Sequence, residues 1–131
     1  MIGAIKRRTG GDLLPEGRNP AALRKTFDHL FPDDGLSDGI NWQKVAALAV
    51  LLKRFCVITG GPGTGKTHTV AKILALLVEQ EDGVPIDIML AAPTGKAAAK
   101  LGESLKLARG LLDCSPAVRD RLPFEARTIH R

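Results

Sequence analysis

Gly60-Gly61-Pro62-Gly63-Thr64-Gly65-Lys66-Thr67 decides how this chain is read. It fits G-x-x-x-x-G-K-[ST], a loop built to cradle phosphate. Phe55-Cys56-Val57-Ile58 before it reads as a buried strand. His68 to Gln80 after it reads as a helix, with Val70, Ile73, Leu74, Leu77 and Val78 on one face. Strand, glycine loop and helix in that order is the context the motif requires. The glycines let successive N–H groups point into one concavity, and the helix N-terminus adds partial positive charge. Lys66 supplies a mobile point charge for the outer phosphates, and Thr67 a hydroxyl for Mg²⁺. The alternative, a plain glycine-rich turn before a helix, fits the flanks less well. A dinucleotide fingerprint is disfavoured too, because the spacing is not G-x-G-x-x-G and Lys66-Thr67 stands where such folds need a packing glycine.

Upstream of the loop, Asn41 is placed to cap a helix over Trp42–Lys53. Its run Val45–Leu52 is apolar nearly all round and predicts packing on several sides. Gln43 lies in the first turn. It either sits near a base pocket or is simply a polar first-turn residue, and its spacing leaves both open. Asn19-Pro20 predicts another helix start, with Leu23, Phe27, Leu30 and Phe31 on one stripe and Pro32 ending it. His29 lies off that stripe and reads as a surface residue. Residues 1–18, with Gly10, Gly11, Pro15, Gly17 and the basic triplet Lys6-Arg7-Arg8, read as an arm or linker. The acidic connector after Pro32 lacks the glutamate that completes a calcium loop.

Downstream, Ile86–Ala92 predicts a second strand, mostly apolar as central parallel strands are. A helix follows with Ala97, Leu101, Leu105 and Ala108 at helical spacing, ended by Gly110. Two parallel strands joined by the phosphate-loop helix make a right-handed βαβ unit, with ligands gathering at the strands' carboxyl ends. Pro93-Thr94-Gly95-Lys96 would lie at that edge. It offers a helix N-terminus, a hydroxyl and a lysine together, which suits a second phosphate. An ordinary turn capped by Thr94 explains it equally well. Ser115-Pro116 starts a short helix that Pro123 stops. Leu111-Leu112-Asp113 is too short for the strand-and-acid element that organises Mg²⁺.

Composition sets outer bounds. The chain has 131 residues, suiting one domain, and 44% of them are hydrophobic, enough for a largely aliphatic core. Nineteen Lys and Arg against fourteen Asp and Glu give +5, compatible with phosphate-bearing partners. No apolar stretch follows the basic start as a signal peptide requires, and Val45–Leu52 is too short to span a bilayer. Cys56, mid-strand, reads as a small buried hydrophobe. It and Cys114 stand singly, consistent with a reducing, cytoplasmic setting.

Four blocks now stand together: Asn41-Trp42-Gln43-Lys44-Val45-Ala46-Ala47, GGPGTGKT at 60–67, AAPTGKAAAKL at 91–101 and Thr128-Ile129-His130-Arg131. They resemble the alpha-subunit (RecD) family of exodeoxyribonuclease V, within the superfamily 1 DNA helicases of 5′-to-3′ polarity. The resemblance covers about Asn41 to Arg131 in family order, and the second and third blocks together carry its specificity. It implies an α/β P-loop NTPase of RecA-like three-layer fold with a parallel sheet, truncated. Residues 1–40 would be a linker with one short helix, and 41–131 the N-terminal part of a motor domain.

The resemblance also assigns roles. Gln43 matches the family glutamine that reads the adenine edge. Gly60, Gly61, Pro62, Gly63, Thr64, Gly65, Lys66 and Thr67 hold the nucleotide, with Lys66 and Thr67 catalytic and Thr67 on the magnesium. His68 is grouped with the nucleotide-binding residues and given no catalytic role. Pro93, Thr94, Gly95 and Lys96 match motif Ia, which contacts the single-stranded DNA backbone. Thr128 and His130 match a later block near the DNA track. ATP and Mg²⁺ are the implied cofactors. Single-stranded DNA and the other exodeoxyribonuclease V subunits, RecB- and RecC-like, are the implied partners, in double-strand break repair and recombination. No Asp-Glu pair follows the loop and no second motor domain is present. The expectation is therefore a fragment of an ATP-dependent DNA helicase, inactive when isolated. The alternatives are a nucleotide- and DNA-binding module without turnover, or another P-loop NTPase such as a conjugative relaxase helicase.

Overall fold

Leu30 and Phe31 are the first deeply buried residues in the computed structural model, which describes residues 20–32, 40–81 and 85–130. The chain divides between Lys66 and Thr67 into two units. The expected arm over 1–18, the Asn19 cap and the connector over 33–39 lie outside the described residues.

The first unit holds two helices, α1 (Pro20–Leu30) and α2 (Trp42–Leu52). In α1 the expected stripe turns inward: Leu30 and Phe31 are buried, Leu23 and Phe27 half-buried, and His29 is exposed as expected. The Phe27 and Phe31 rings lie 5.5 Å apart at 40°, a favourable tilted contact. α2 starts where Asn41, in extended conformation, accepts the Lys44 N–H on its Oδ1 at 3.1 Å. That satisfies one of the orphan donors of the first turn. The helix stops at extended Lys53.

Two expectations fail in this unit. α2 is not packed on several sides. Ala47 and Leu51 are buried, while Trp42 is 71% and Leu48 48% exposed. Its apolar composition therefore overstates its burial, because only Ala47 and Leu51 are fully enclosed and the other apolar residues stay half-buried or exposed. Phe55–Ile58 is not a strand: no regular structure is assigned over 56–60, and Val57 is 68% and Phe55 49% exposed. Cys56 is correspondingly exposed rather than a buried core thiol. A β-prone run becomes a strand only against a hydrogen-bonded neighbour and a covering layer, and among the described residues nothing pairs with this run.

The helix α3 (Lys66–Glu79) leads into the second unit, which continues as β1 (Leu90–Ala92), α4 (Gly95–Gly110), α5 (Pro116–Arg121) and β2 (Ala126–Thr128). On α3 the residues Thr69, Ala71, Ile73, Ala75, Leu76 and Val78 are buried. Ile73 and Val78 were expected; Thr69, Ala71, Ala75 and Leu76 turn inward as well, while Val70, Leu74 and Leu77 remain half-buried. β1 and β2 pair in parallel, Leu90 with Ala126, Ala91 with Arg127 and Ala92 with Thr128. The βαβ connection among the described residues therefore runs through α4 and α5, not through the phosphate-loop helix. Of the expected strand over 86–92, only the three residues with ladder partners form one.

α4 turns Ala98, Gly102, Leu105 and Ala108 inward, not Ala97 and Leu101 as its spacing predicts. The reason is Gly102. A Cβ there would stand 2.6 Å from the Phe124 carbonyl oxygen, so bare backbone lets the helix approach the residues leading into β2. Gly110 closes α4, as expected, with Leu111 as its cap. α5 begins where Ser115 accepts the Val118 N–H at 3.3 Å and ends at Leu122, before Pro123. Arg121 clasps Glu81 with both guanidinium nitrogens, Nη2 donating to Oε1 at 2.6 Å and Nη1 to Oε2. This ties the chain after α3 to the end of α5. Among the described residues no helix is long and apolar enough to cross a membrane.

Candidate functional site

The loop between Gly60 and Lys66 is shaped by backbone geometry that its composition makes affordable. Gly63 and Gly65 have φ of 76° and 72°, a region costly to residues with a Cβ. A Cβ at Gly60 would meet Thr64 Oγ1 at 2.9 Å, so a side chain there would displace that hydroxyl. That hydroxyl donates to the Gly61 carbonyl at 2.9 Å and braces the turn. Lys66 Nζ donates to the Gly60 carbonyl at 2.6 Å and also to that of Gly61. Its ammonium is thus folded over the loop, where phosphate oxygens would compete with carbonyls for the same protons. α3 starts at Lys66, two residues earlier than expected, and has no acidic residue in its first turn. The partial positive charge of its N-terminus is left for an anion.

Gln43 meets this loop. A Cβ built on Gly65 would lie 3.8 Å from Gln43 Nε2, so the side-chain amide reaches the last glycine before the lysine. The first turn of α2 thus lies beside the loop, with the Gln43 amide next to Gly65. Thr67 follows Lys66 and is half-buried. Among the described residues no group of three His, Cys, Asp or Glu could hold a metal. Among the described residues of the loop and the start of α3, the Thr67 hydroxyl could give Mg²⁺ one oxygen. That fits an ion which takes most of its octahedral shell from nucleotide phosphates and water. His68 buries its Nδ1 without a hydrogen-bond partner among the described residues. Burial, and secondly the charge of Lys72, hold its pKa below the ordinary imidazole value, so it is neutral at neutral pH.

A second group of expected residues gathers at the carboxyl ends of β1 and β2. Ala92 pairs with Thr128, and the Ile129 N–H extends the ladder by donating to the Ala92 carbonyl at 2.9 Å. This register sets Pro93-Thr94-Gly95-Lys96 beside Thr128 and His130, more than thirty residues later in the chain. All six are exposed. Thr94, extended, caps α4 by accepting the Ala97 N–H on Oγ1 at 3.2 Å, and keeps its O–H as a donor. The capped turn is therefore real, and it still presents an N-terminus with Lys96 and no acidic residue in the first turn. Thr128 Oγ1 donates to the His130 carbonyl at 2.7 Å, closing the turn after β2.

Some of this arrangement was not foreseen. β2 carries a single β-prone residue, Thr128, in Ala126-Arg127-Thr128, so no propensity signal marks it. The contact from α1 to the first turn of α2, Asp28 Oδ1 to Lys44 Nζ at 2.9 Å, joins residues sixteen apart. No periodicity reports such a pair.

Comparison with known proteins follows the same lines. Residues 43–131 match the family model described as "AAA domain". The RecBCD enzyme subunit RecD of Haemophilus influenzae is 39% identical over 112 residues, 82% of this chain and 17% of its own length. The RecBCD enzyme subunit RecD of Mycobacterium tuberculosis (strain H37Rv) is 45% identical over 122 residues, 90% of this chain and 20% of its own. The ATP-dependent RecD2 DNA helicase of Deinococcus radiodurans is 52% identical over 66 residues, 50% of this chain and 9% of its own. The chain thus spans about a fifth of the length of the RecD relatives.

Proposed function

From the premise that the chain belongs to the AAA-domain family, and within it to the RecD group, we propose that it forms the start of the first RecA-like motor domain of an ATP-dependent DNA helicase. The full-length protein acts in the cytoplasm beside RecB- and RecC-type subunits, in break repair and recombination. Residues 41–131 are its motor part and residues 1–40 lead into it. Gln43 reads the adenine edge. The loop amides and Lys66 hold the phosphates, Thr67 takes the magnesium, and His68 lies with the nucleotide. Pro93–Lys96, Thr128 and His130 contact the single-strand backbone.

The observation that best supports the DNA half is the register Ala92–Thr128, which gathers two sequence-distant blocks on one exposed edge. The nucleotide half is supported by Gln43 reaching Gly65. Catalysis by these residues is electrostatic: oriented amides and the Lys66 ammonium meet charge that develops on the transferring phosphoryl group. Bound Mg²⁺ would add Lewis-acid neutralisation of phosphate charge.

The test uses a full-length protein carrying this segment. ATP turnover rises with single-stranded DNA, and Lys66→Ala abolishes it. Thr94→Ala with Lys96→Ala weakens single-strand binding while ATP affinity is retained. The salt slope falls by about 0.7 for the lost lysine contact. Equal DNA affinity at matched salt, or turnover indifferent to DNA, would overturn the reading.

A further inference from the structure

We propose that Asp28, on α1, is a positioning residue for base recognition: its ion pair with Lys44 fixes the rotation of the first turn of α2 and so holds Gln43 at the phosphate loop. The inference rests on the reading of Gln43 given above, and it gives α1 a role that a linker helix would not have.

Lys44 is held at both ends. Its N–H is taken by the Asn41 cap at 3.1 Å. Its ammonium sits 2.9 Å from Asp28 Oδ1 and 6.0 Å from the centre of the Phe27 ring. The other carboxylate oxygen of Asp28 faces Arg24 at 3.8 Å, one turn earlier on α1, which leaves Oδ1 directed at Lys44. Asn41 is tied back in turn, its Nδ2 donating to the Pro32 carbonyl at 3.4 Å.

Packing does not do this work by itself. A largely apolar groove of about 310 Å³ opens here, lined by Phe27, Ile40, Asn41, Lys44, Val45 and Leu48, so side chains do not fill the space between α1 and the first turns of α2. Neighbouring residues on a helix are about 100° apart in azimuth. A clamp on Lys44 therefore sets the direction in which Gln43 leaves the helix, toward Gly65. Loss of the clamp lets the turn rotate and moves the amide, while Gly60–Lys66 keeps its own internal hydrogen bonds.

The experiment measures binding of fluorescent mant-ATP and mant-GTP to the full-length protein, with inorganic tripolyphosphate as competitor to report the phosphate loop alone. Asp28→Asn narrows the preference for ATP over GTP about two- to five-fold, the range of an exposed pair, and leaves tripolyphosphate affinity unchanged. The charge swap Asp28→Lys with Lys44→Asp restores the preference, and the effect of Asp28→Asn shrinks in high salt. Gln43→Ala is the reference variant. If Gln43→Ala erases the preference and Asp28→Asn leaves it intact, the positioning role is overturned while base reading by Gln43 stands. If Gln43→Ala leaves the preference intact, base reading fails and the positioning role with it. Equal loss of ATP and tripolyphosphate binding in Asp28→Asn would show general support of the fold, and would also overturn the proposal.

Discussion

Gly102→Ala tests the packing that sets the edge beyond β1 and β2. The new Cβ would stand 2.6 Å from the Phe124 carbonyl oxygen and 3.7 Å from its carbon. A carbon–oxygen contact settles near 3.3 Å at its closest, so the helix and the backbone leading into β2 must part by about 0.7 Å. Neither side can yield by rotating a side chain. Overpacking of this kind costs about 1–3 kcal/mol, and the better helix propensity of alanine returns about 0.5–1 kcal/mol. The net loss is about 1 kcal/mol, which lowers the melting temperature of a unit this size by about 5 °C. The assay is thermal unfolding followed by far-ultraviolet circular dichroism, with Gly110→Ala in the same helix as the control. Nothing lies within 4 Å of a Cβ at Gly110, so that variant melts at or slightly above the parent temperature. A Gly102→Ala protein as stable as the Gly110→Ala protein would refute the reasoning.

Two further predictions concern single side chains. Thr94→Ala removes the Oγ1 acceptor of the Ala97 N–H and lowers stability by about 1 kcal/mol, whereas Thr94→Ser keeps the cap and the stability. Denaturant titration of the two variants checks this, and equal losses would refute it. The carboxyl of Glu81 is held below its ordinary pKa, first by hydrogen bonds from Arg121 and then by the Ile86 N–H. The unfolded chain therefore takes up this proton at higher pH than the folded one. The stabilisation is complete above the ordinary carboxylate range and is lost as pH falls through that range toward the lowered value. Glu81→Gln should thus be less stable than the parent at neutral pH, and the gap should narrow as pH falls below the ordinary carboxylate range. A stability gap that does not change with pH would sink this assignment.

Local sequence determined the parts of this protein whose physics is local. The phosphate loop is legible because Gly63 and Gly65 occupy the two positive-φ positions and Lys66 stands one residue beyond. The starts of α2, α4 and α5 are legible because Asn41, Thr94 and Ser115 each accept an N–H three residues on. The stripe on α1 follows from its period. These features need only neighbours within a turn or two, so spacing and residue type suffice.

Tertiary structure decided everything that depends on a distant partner. Phe55–Ile58 has the composition of a strand but no ladder neighbour among the described residues, while Ala126–Thr128 has little β character yet pairs with β1. Backbone hydrogen bonds between strands are granted by position, not by propensity. The inward face of α4 was set by Gly102 because only there does the Phe124 backbone come close enough to exclude a side chain. The candidate sites divide in the same way. Their chemistry, a glycine loop with a lysine and a capped turn with another, is written in the sequence. Bringing Gln43 to Gly65 and Thr128 beside Pro93–Lys96 is not, because each needs contacts between residues more than twenty positions apart.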